Sequence, residues 1–100
     1  MTSIEINGKS YEVKVKFIAL KHLAKELGCK FDEIAEKAQD AFNYPLILKY
    51  GINSVTGQNI TTEEIETWLD SGDFERLKLA GEIIANEIVS YFGGNKEKNA

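Results

Sequence analysis

The stretch FERLKLAGEIIANEIVSYF, residues 74–92, decides the fold of this chain. Its apolar residues recur at spacings of three and four, which places them on one face of a helix. The inward-facing residues that this spacing predicts are Phe74, Leu77, Gly81, Ile84, Ile88 and Tyr91. Asp73 is a candidate N-cap before the stretch, and Gly93-Gly94 is a candidate stop after it. The pattern therefore predicts the longest helix of the chain.

A second set of apolar side chains lies on the same helix. These residues widen the apolar stripe beyond half of the circumference, and they are Leu79, Ala80, Ile83, Val89 and Phe92. A helix of this kind must be largely covered, either by its own domain or by a partner.

The N-terminal residues predict a β-hairpin. Apolar residues alternate there with polar ones, which is the period of a strand, at Ile4, Ile6, Tyr11, Val13, Val15 and Phe17. Asn7-Gly8 separates the two runs and favours a type I′ turn, because both turn positions need a positive φ. An isolated hairpin is only marginally stable in water, so we expect its apolar face to lie on the helices.

Two helices are predicted after the hairpin. The first begins at Phe17 or Ile18 and runs to Leu27, where Gly28 ends it. Its predicted inner stripe is Phe17, Leu20, Ala24 and Leu27. The second is predicted over residues 31–42, with its inward positions at Phe31, Ile34, Ala38 and Ala41 or Phe42.

Two more helices are predicted before residue 74. A short third helix covers residues 45–50, with Asn43 as its candidate cap and Pro45 in its first turn. Residues 51–59 are rich in Gly, Asn, Ser and Thr and indicate a loop. Thr61 and Glu64 form a capping box that starts the fourth helix, which runs to about Leu69. Its predicted inward residues are Ile65, Trp68 and Leu69.

Together these elements predict an α+β chain that is mostly α. An N-terminal β-hairpin is followed by about five helices, of which the C-terminal one is the longest. We expect a single domain over residues 1–94, since one hundred residues suit one domain, and a flexible tail at residues 95–100.

Composition and charge narrow the class of protein. There is no apolar run of membrane-spanning length, no signal peptide pattern and a single cysteine, so we expect an intracellular protein. The net charge of −4 argues against a general nucleic-acid binder. The charge is uneven, because residues 1–30 carry +3 and residues 31–100 carry −7. A solvated surface explains this asymmetry, and so does head-to-tail association of identical copies.

Catalytic and metal chemistry find little support in the sequence. His22 has no partners suited to a metal or a general base, and Cys29 has no second cysteine and no recognisable orienting residue. The loop Asp70-Ser71-Gly72-Asp73 lacks the length and glycine position of an EF-hand, and Ser71 lacks the sequence context of an acyl carrier attachment site. We therefore expect no enzyme, no cofactor and no metal site.

The order of these signals carries a resemblance. The hairpin Ile-x-Ile-Asn-Gly-Lys-x-Tyr leads through Val-Lys-Phe into Leu-Lys-His-Leu-Ala-Lys-Glu-Leu-Gly, and Phe-Asp-Glu-Ile follows. Thr-Thr-Glu-Glu-Ile-Glu-Thr-Trp-Leu and the long helix come later. Over most of residues 4–92 this order resembles the tail assembly chaperones of long-tailed phages and prophages of Gram-positive bacteria.

The resemblance implies a non-enzymatic function. Such chaperones coat the tape measure protein in many copies before tail tube subunits polymerise around it, and they self-associate. They act in the host cytoplasm and are absent from the mature virion. A longer, frameshifted form is often made, which implies a second partner in the tail tube protein. Neither nucleic acid nor membrane is an expected partner.

Candidate contact residues follow from these expectations. The candidates for partner binding are the apolar residues beyond the inner stripe of the long helix, namely Leu79, Ile83, Val89 and Phe92. The alternative interpretation, that these residues are simply buried within the domain, fits the sequence equally well. The charge asymmetry gives the candidates for self-association, namely Lys14, Lys16, Lys21, Lys25, Glu63, Glu66 and Asp70.

A small regulatory DNA-binding protein of repressor or antitoxin type is the alternative function. A helix that reads a DNA groove needs exposed basic and amide residues. Lys21, Lys25 and Lys30 are the candidate cluster for this role.

Overall fold

The computed structural model describes residues 2–93. A two-stranded antiparallel hairpin is followed by five α-helices, and the last helix is the longest, which confirms the predicted fold class. The predicted tail at residues 95–100 and the predicted stop at Gly94 lie outside the described residues. None of the helices within residues 2–93 is both long and apolar enough to cross a membrane.

The hairpin pairs strand β1 (Thr2–Ile6) with strand β2 (Lys9–Val13), with Ile4 opposite Tyr11. Asn7 has a φ of 55° and Gly8 a φ of 81°, as the predicted turn requires. The buried face of the hairpin consists of Ile4, Ile6, Tyr11 and Val13. The alternating pattern that predicts a strand continues to Phe17, but β2 ends at Val13 and Phe17 begins a helix.

Helix α1 (Phe17–Leu27) has the predicted bounds, and Gly28 ends it with a φ of 68°. Its buried side chains are Ala19, Leu20 and Leu23, with Ala24 and Leu27 half-buried. The prediction that Phe17 points inward was wrong, because its side chain is 59% exposed. Phe17 is the first residue of the helix, and its ring packs against Phe31 at the edge of the domain and not against the core.

The predicted second helix is broken. A 3-10 turn at Phe31–Glu33 leads into the single α-turn of helix α2 (Ile34–Lys37), and a second 3-10 turn follows at Ala41–Asn43. Asp40 caps the second 3-10 turn, because its carboxylate accepts a hydrogen bond from the Phe42 amide (3.0 Å). Ile34 and Ala38 are buried as predicted. Phe31 and Phe42 are not, with Phe42 92% exposed.

Helix α3 (Tyr44–Asn53) is longer than predicted and takes in Gly51, which the composition had placed in a loop. A side chain at Gly51 would lie 3.1 Å from Cγ1 of Val13, and the Gly51 carbonyl accepts a hydrogen bond from the Lys14 amide (3.0 Å). Glycine here permits a close approach of the helix to the hairpin. The Asn43 side chain does not cap α3, since it donates to the Lys37 carbonyl instead (2.8 Å).

Helix α4 (Thr62–Ser71) begins with the predicted capping box. The Glu64 amide donates to Oγ1 of Thr61 (3.1 Å), and the Thr61 amide donates to Oε1 of Glu64 (2.9 Å). Ile65 and Trp68 are buried as predicted. Leu69 is half-buried, at the edge of the core.

Helix α5 (Phe74–Tyr91) begins at the predicted cap, where the Glu75 amide donates to Asp73 (3.0 Å). Its buried residues are Ala80, Ile83, Ile84 and Ile88. The predicted inner stripe is therefore partly wrong, because Phe74 is 68% exposed and Tyr91 36% exposed. The buried face is rotated around the helix from the predicted one, since Ala80 and Ile83 are buried in addition to Ile84 and Ile88. Glu87 on this face accepts hydrogen bonds from Thr2 (2.6 Å) and the Val15 amide (3.3 Å).

The core lies around α3, which contacts α1, α4, α5 and β2. Its fully buried large side chains are Ile6, Leu20, Leu23, Ile34, Ile47, Leu48, Ile52, Ile60, Ile65 and Ile84. No charged or polar side chain is buried among residues 2–93. One face of α5 covers this core, and the adjacent face of the same helix stays in contact with solvent.

Candidate protein-binding surface

Three adjoining apolar depressions, which share lining residues, form a groove along α5 beside the face that covers the core. One wall is α5 itself, and the other is made by α2, the 3-10 turn at Ala41–Asn43, the start of α3 and the end of α4. We call it the α5 groove. Its apolar lining is Ala35, Ala38, Ala41, Phe42, Tyr44, Pro45, Leu69, Phe74, Leu77, Gly81, Ala85, Ile88 and Val89. The widest section has a volume of about 450 Å³.

The groove is open because the chain beside α5 is short and irregular. Where the sequence predicted one continuous helix, α2 has a single turn and does not extend over α5. Alanines at positions 35, 38 and 41 add little bulk to that wall. Tyr44 closes the floor, since a side chain at Gly81 would lie 2.8 Å from its phenol oxygen.

Large apolar side chains stand exposed at the two ends of the groove. Phe42 is 92% exposed and Phe74 68% exposed at one end, and Val89 is 56% exposed at the other. Moving one such side chain out of water is worth about 1.5–3 kcal/mol. Large apolar side chains that are exposed along one groove are typical of a site that another protein covers.

The polar border of the groove is mostly acidic. Glu66, Asp70 and Glu82 line it together with Lys78. Lys78 also lies 3.8 Å from Glu75, outside the groove. Within residues 2–93 the three bordering carboxylates form no salt bridge, so their negative charge is available to a ligand.

A separate aromatic cluster joins the start of α1 to the end of α5 through Phe31. Phe31 is central to it, with ring centroids 6.3 Å from Phe17, 6.2 Å from Tyr91 and 5.1 Å from Phe92. All four rings are at least 36% exposed. The cluster closes one edge of the domain and remains in contact with solvent.

The structure does not bring the four predicted partner-binding residues together. Ile83 is in the core, at 6% exposed. Val89 lines the α5 groove, Phe92 belongs to the aromatic cluster, and Leu79 is 43% exposed away from both. The sequence analysis missed the remaining groove residues, although small residues at Gly81 and Ala85, one turn apart on α5, were a signal for it.

The residues predicted to mediate self-association are all exposed. Lys14 and Lys16 follow β2 beside the end of α3, where the Lys16 ammonium donates to the Ser54 carbonyl (3.3 Å). Lys21 and Lys25 are on the outer face of α1. Glu66 and Asp70 lie beside Pro45 at the start of α3, and Glu63 is in the first turn of α4.

The two side chains considered for catalysis, His22 and Cys29, both pack against other residues of the domain. His22 stacks on Tyr50 with ring centroids 5.6 Å apart, and the Tyr50 hydroxyl donates to Glu26 (3.0 Å). Desolvation, this hydrogen bond and the charge of Glu26 raise the pKa of Tyr50 above its ordinary value of 10.0. Cys29 is half-buried against the core. In the described part of the chain, no three His, Cys, Asp or Glu side chains are grouped as metal ligands.

Comparison of the chain with protein-family models, with curated proteins and with solved structures finds no match.

Proposed function

We propose that this chain is a tail assembly chaperone that binds and coats the tape measure protein of a long-tailed phage or prophage. It acts without catalysis, before tail tube polymerisation, in the host cell cytoplasm, and leaves before the virion matures. Neither nucleic acid nor membrane takes part. A longer, frameshifted form would reach the tail tube protein.

The α5 groove is the observation that carries this proposal. A tape measure protein presents long apolar helical stretches that aggregate when they are bare. An apolar groove along a helix is the surface that recurs in proteins that bind such helices. Phe42 and Phe74, which stand exposed at one end of the groove, supply apolar area that a client would remove from water.

Self-association lets one small domain cover a long client. Basic residues are exposed on α1 and after β2, and acidic residues are exposed on α4. If the basic surface of one copy meets the acidic surface of the next, the contact is heterologous and repeats along the client. In the proposed assembly the apolar lining of the groove binds the client, and the basic and acidic surfaces join the copies, with Glu66 and Asp70 bordering both.

Co-expression with the tape measure protein of the same genome tests the proposed function. The full chain should keep the tape measure protein in the soluble fraction and copurify with it. The double variant Phe42→Asp/Phe74→Asp should weaken the complex roughly a hundredfold or more, because it removes the burial of two aromatic side chains.

Leu79→Asp is the matched control for this experiment. Leu79 is also an exposed apolar residue of α5, but it lies outside the groove. Its replacement should leave the complex intact. Loss of the complex in Leu79→Asp alone would move the client site away from the groove. Failure of the unaltered chain to retain the client, together with a shift of DNA at physiological salt, would favour the regulatory alternative.

A further inference from the structure

We infer that the α5 groove takes one amphipathic helix of about four turns, whose lysines or arginines lie against Glu66, Asp70 and Glu82. The inference rests on the proposed function, and it names the kind of client segment that the site selects. Its grounds are the length of the groove, the chemistry of its walls and the charge of its border.

The length of the groove sets the size of its occupant. Phe74 and Val89 mark its two ends, fifteen residues apart on α5. At about 1.5 Å per residue these positions are about 22 Å apart along the helix axis. A second helix laid along this distance contributes about four turns.

The chemistry of the walls favours a helix over an extended segment. The lining consists mainly of alanine, glycine and larger apolar side chains, from which an extended segment would gain few hydrogen bonds for its amides and carbonyls. A helix satisfies its own backbone and needs only apolar contacts. The short side chains at Ala38 and Ala85 leave space for large side chains of the occupant, such as leucine or phenylalanine, whereas the Tyr44 ring fills the space beside Gly81.

The charge of the groove border determines which charges on an occupant are favoured. The border contains three carboxylates and one ammonium group, so it has a net negative charge. Glu66 and Asp70 lie at the end of the groove near Phe42, and Glu82 lies farther along α5. An occupant with basic residues beside its apolar stripe complements this arrangement. Residues 94–100 carry one apolar side chain, Ala100, and cannot supply the stripe.

Two synthetic helical peptides of about 18 residues provide the probe. Both have the same leucine stripe, and one is flanked by lysines where the other has glutamates. Fluorescence anisotropy with the full chain should show the lysine peptide binding at least about tenfold tighter at low salt. Asp70→Lys/Glu82→Lys should reverse this preference. Equal binding of both peptides by the unaltered chain would overturn the inference.

Ala85→Leu fills the middle of the groove, and Asn86→Leu places the same side chain on the neighbouring exposed position outside it. The first substitution should weaken peptide binding at least about tenfold, and the second should not. Equal effects would place the peptide elsewhere. Peptide binding that requires dissociation of a dimer of this chain would mean that a second copy occupies the groove, and would also overturn the inference.

The two proposals fail separately. If the chain retains the tape measure protein but Ala85→Leu does not affect peptide binding, the chaperone function stands and the groove assignment is wrong. If the lysine peptide binds as described and the tape measure protein is not retained, the groove assignment stands and the proposed client is wrong.

Discussion

Gln58 shows how much a single side chain can connect in this small domain. Its carbonyl oxygen accepts a hydrogen bond from the Glu12 amide (2.7 Å), and its amide nitrogen donates to the carbonyls of Glu12 and Ile52 (both 2.8 Å). One residue thus joins the hairpin, the end of α3 and the segment before α4. In the sequence, Gln58 lies within residues 51–59, whose composition predicts only a loop.

Replacing Gln58 by alanine should lower the free energy of unfolding by about 1–3 kcal/mol, because partly buried backbone groups lose their partners. Urea unfolding followed by circular dichroism measures the change. Gln39→Ala is the control, since Gln39 is exposed and its loss should stay within about 0.5 kcal/mol. Equal effects of the two substitutions would show that the Gln58 contacts contribute little.

Features that depend on neighbouring residues could be predicted from the sequence, whereas contacts between distant residues could not. The Asn7-Gly8 turn and the Thr61–Glu64 capping box depend on neighbours within four positions, and both were read correctly. Gln58 bonds to a residue 46 positions away, and Glu87 to one 85 positions away. Such contacts exist only after the chain has folded, so residue type and spacing do not reveal them.

At the scale of elements, α5 shows why the core face was misplaced. More than half of this helix is apolar, and any of several faces could have covered the core. Glu87 lies on the face that is buried, where it joins α5 to Thr2 and Val15. Ala80 and Ile83 are buried on this face, whereas Phe74 and Tyr91 of the predicted stripe are exposed. The face that contains Leu77 and Gly81 then becomes one wall of the α5 groove.

A substitution at Gly81 measures how tightly Tyr44 packs against α5 at the floor of the groove. Alanine in the middle of a helix is favoured over glycine by about 1 kcal/mol. Here its side chain would lie 2.8 Å from the Tyr44 hydroxyl and 3.1 Å from two ring carbons, and overpacking costs about 1–3 kcal/mol. We therefore expect Gly81→Ala to destabilise the protein by about 1 kcal/mol in urea unfolding.

A double-mutant comparison separates the two effects at this position. In a Tyr44→Leu background the aromatic ring is gone, so Gly81→Ala should stabilise the protein relative to that background by about 0.5–1 kcal/mol. If Gly81→Ala already stabilises the unaltered chain, the Tyr44 ring moves aside at little cost, and the floor of the groove adapts to its occupant.

For the whole molecule, the fold class followed from the order of local patterns, but the groove did not. The hairpin and the helices each have their own period or cap, and the sequence supplies these in order. The α5 groove is made by residues 35–45 together with residues 66–89, and it depends on the break after α2. The α-helix ends at Lys37, and Asp40 caps a separate 3-10 turn within residues 31–42, where the sequence predicts one continuous helix.

The charge distribution of the whole chain leads to a prediction about assembly. Glu66 and Asp70 border the groove, so a client and a neighbouring copy would share them, whereas Glu63 does not line it. Charge reversals at Glu63, and at Lys21 with Lys25 on α1, should therefore alter the proposed self-association without changing the groove. If opposite charges hold the copies together, oligomers should dissociate as salt shortens the range of attraction to about 3 Å near 1 M.

Sedimentation velocity should accordingly show species larger than the monomer at low salt and the monomer alone near 1 M salt, where screening is nearly complete. Glu63→Lys and Lys21→Glu/Lys25→Glu should each weaken the low-salt association, because each places like charges at the contact. A mixture of the two variants should recover it in part, since the altered acidic and basic surfaces again face opposite charges. A monomer at every salt concentration would remove self-association from the proposal. Client binding by the α5 groove would stand without it, because the lining and the charged border of the groove lie within one copy.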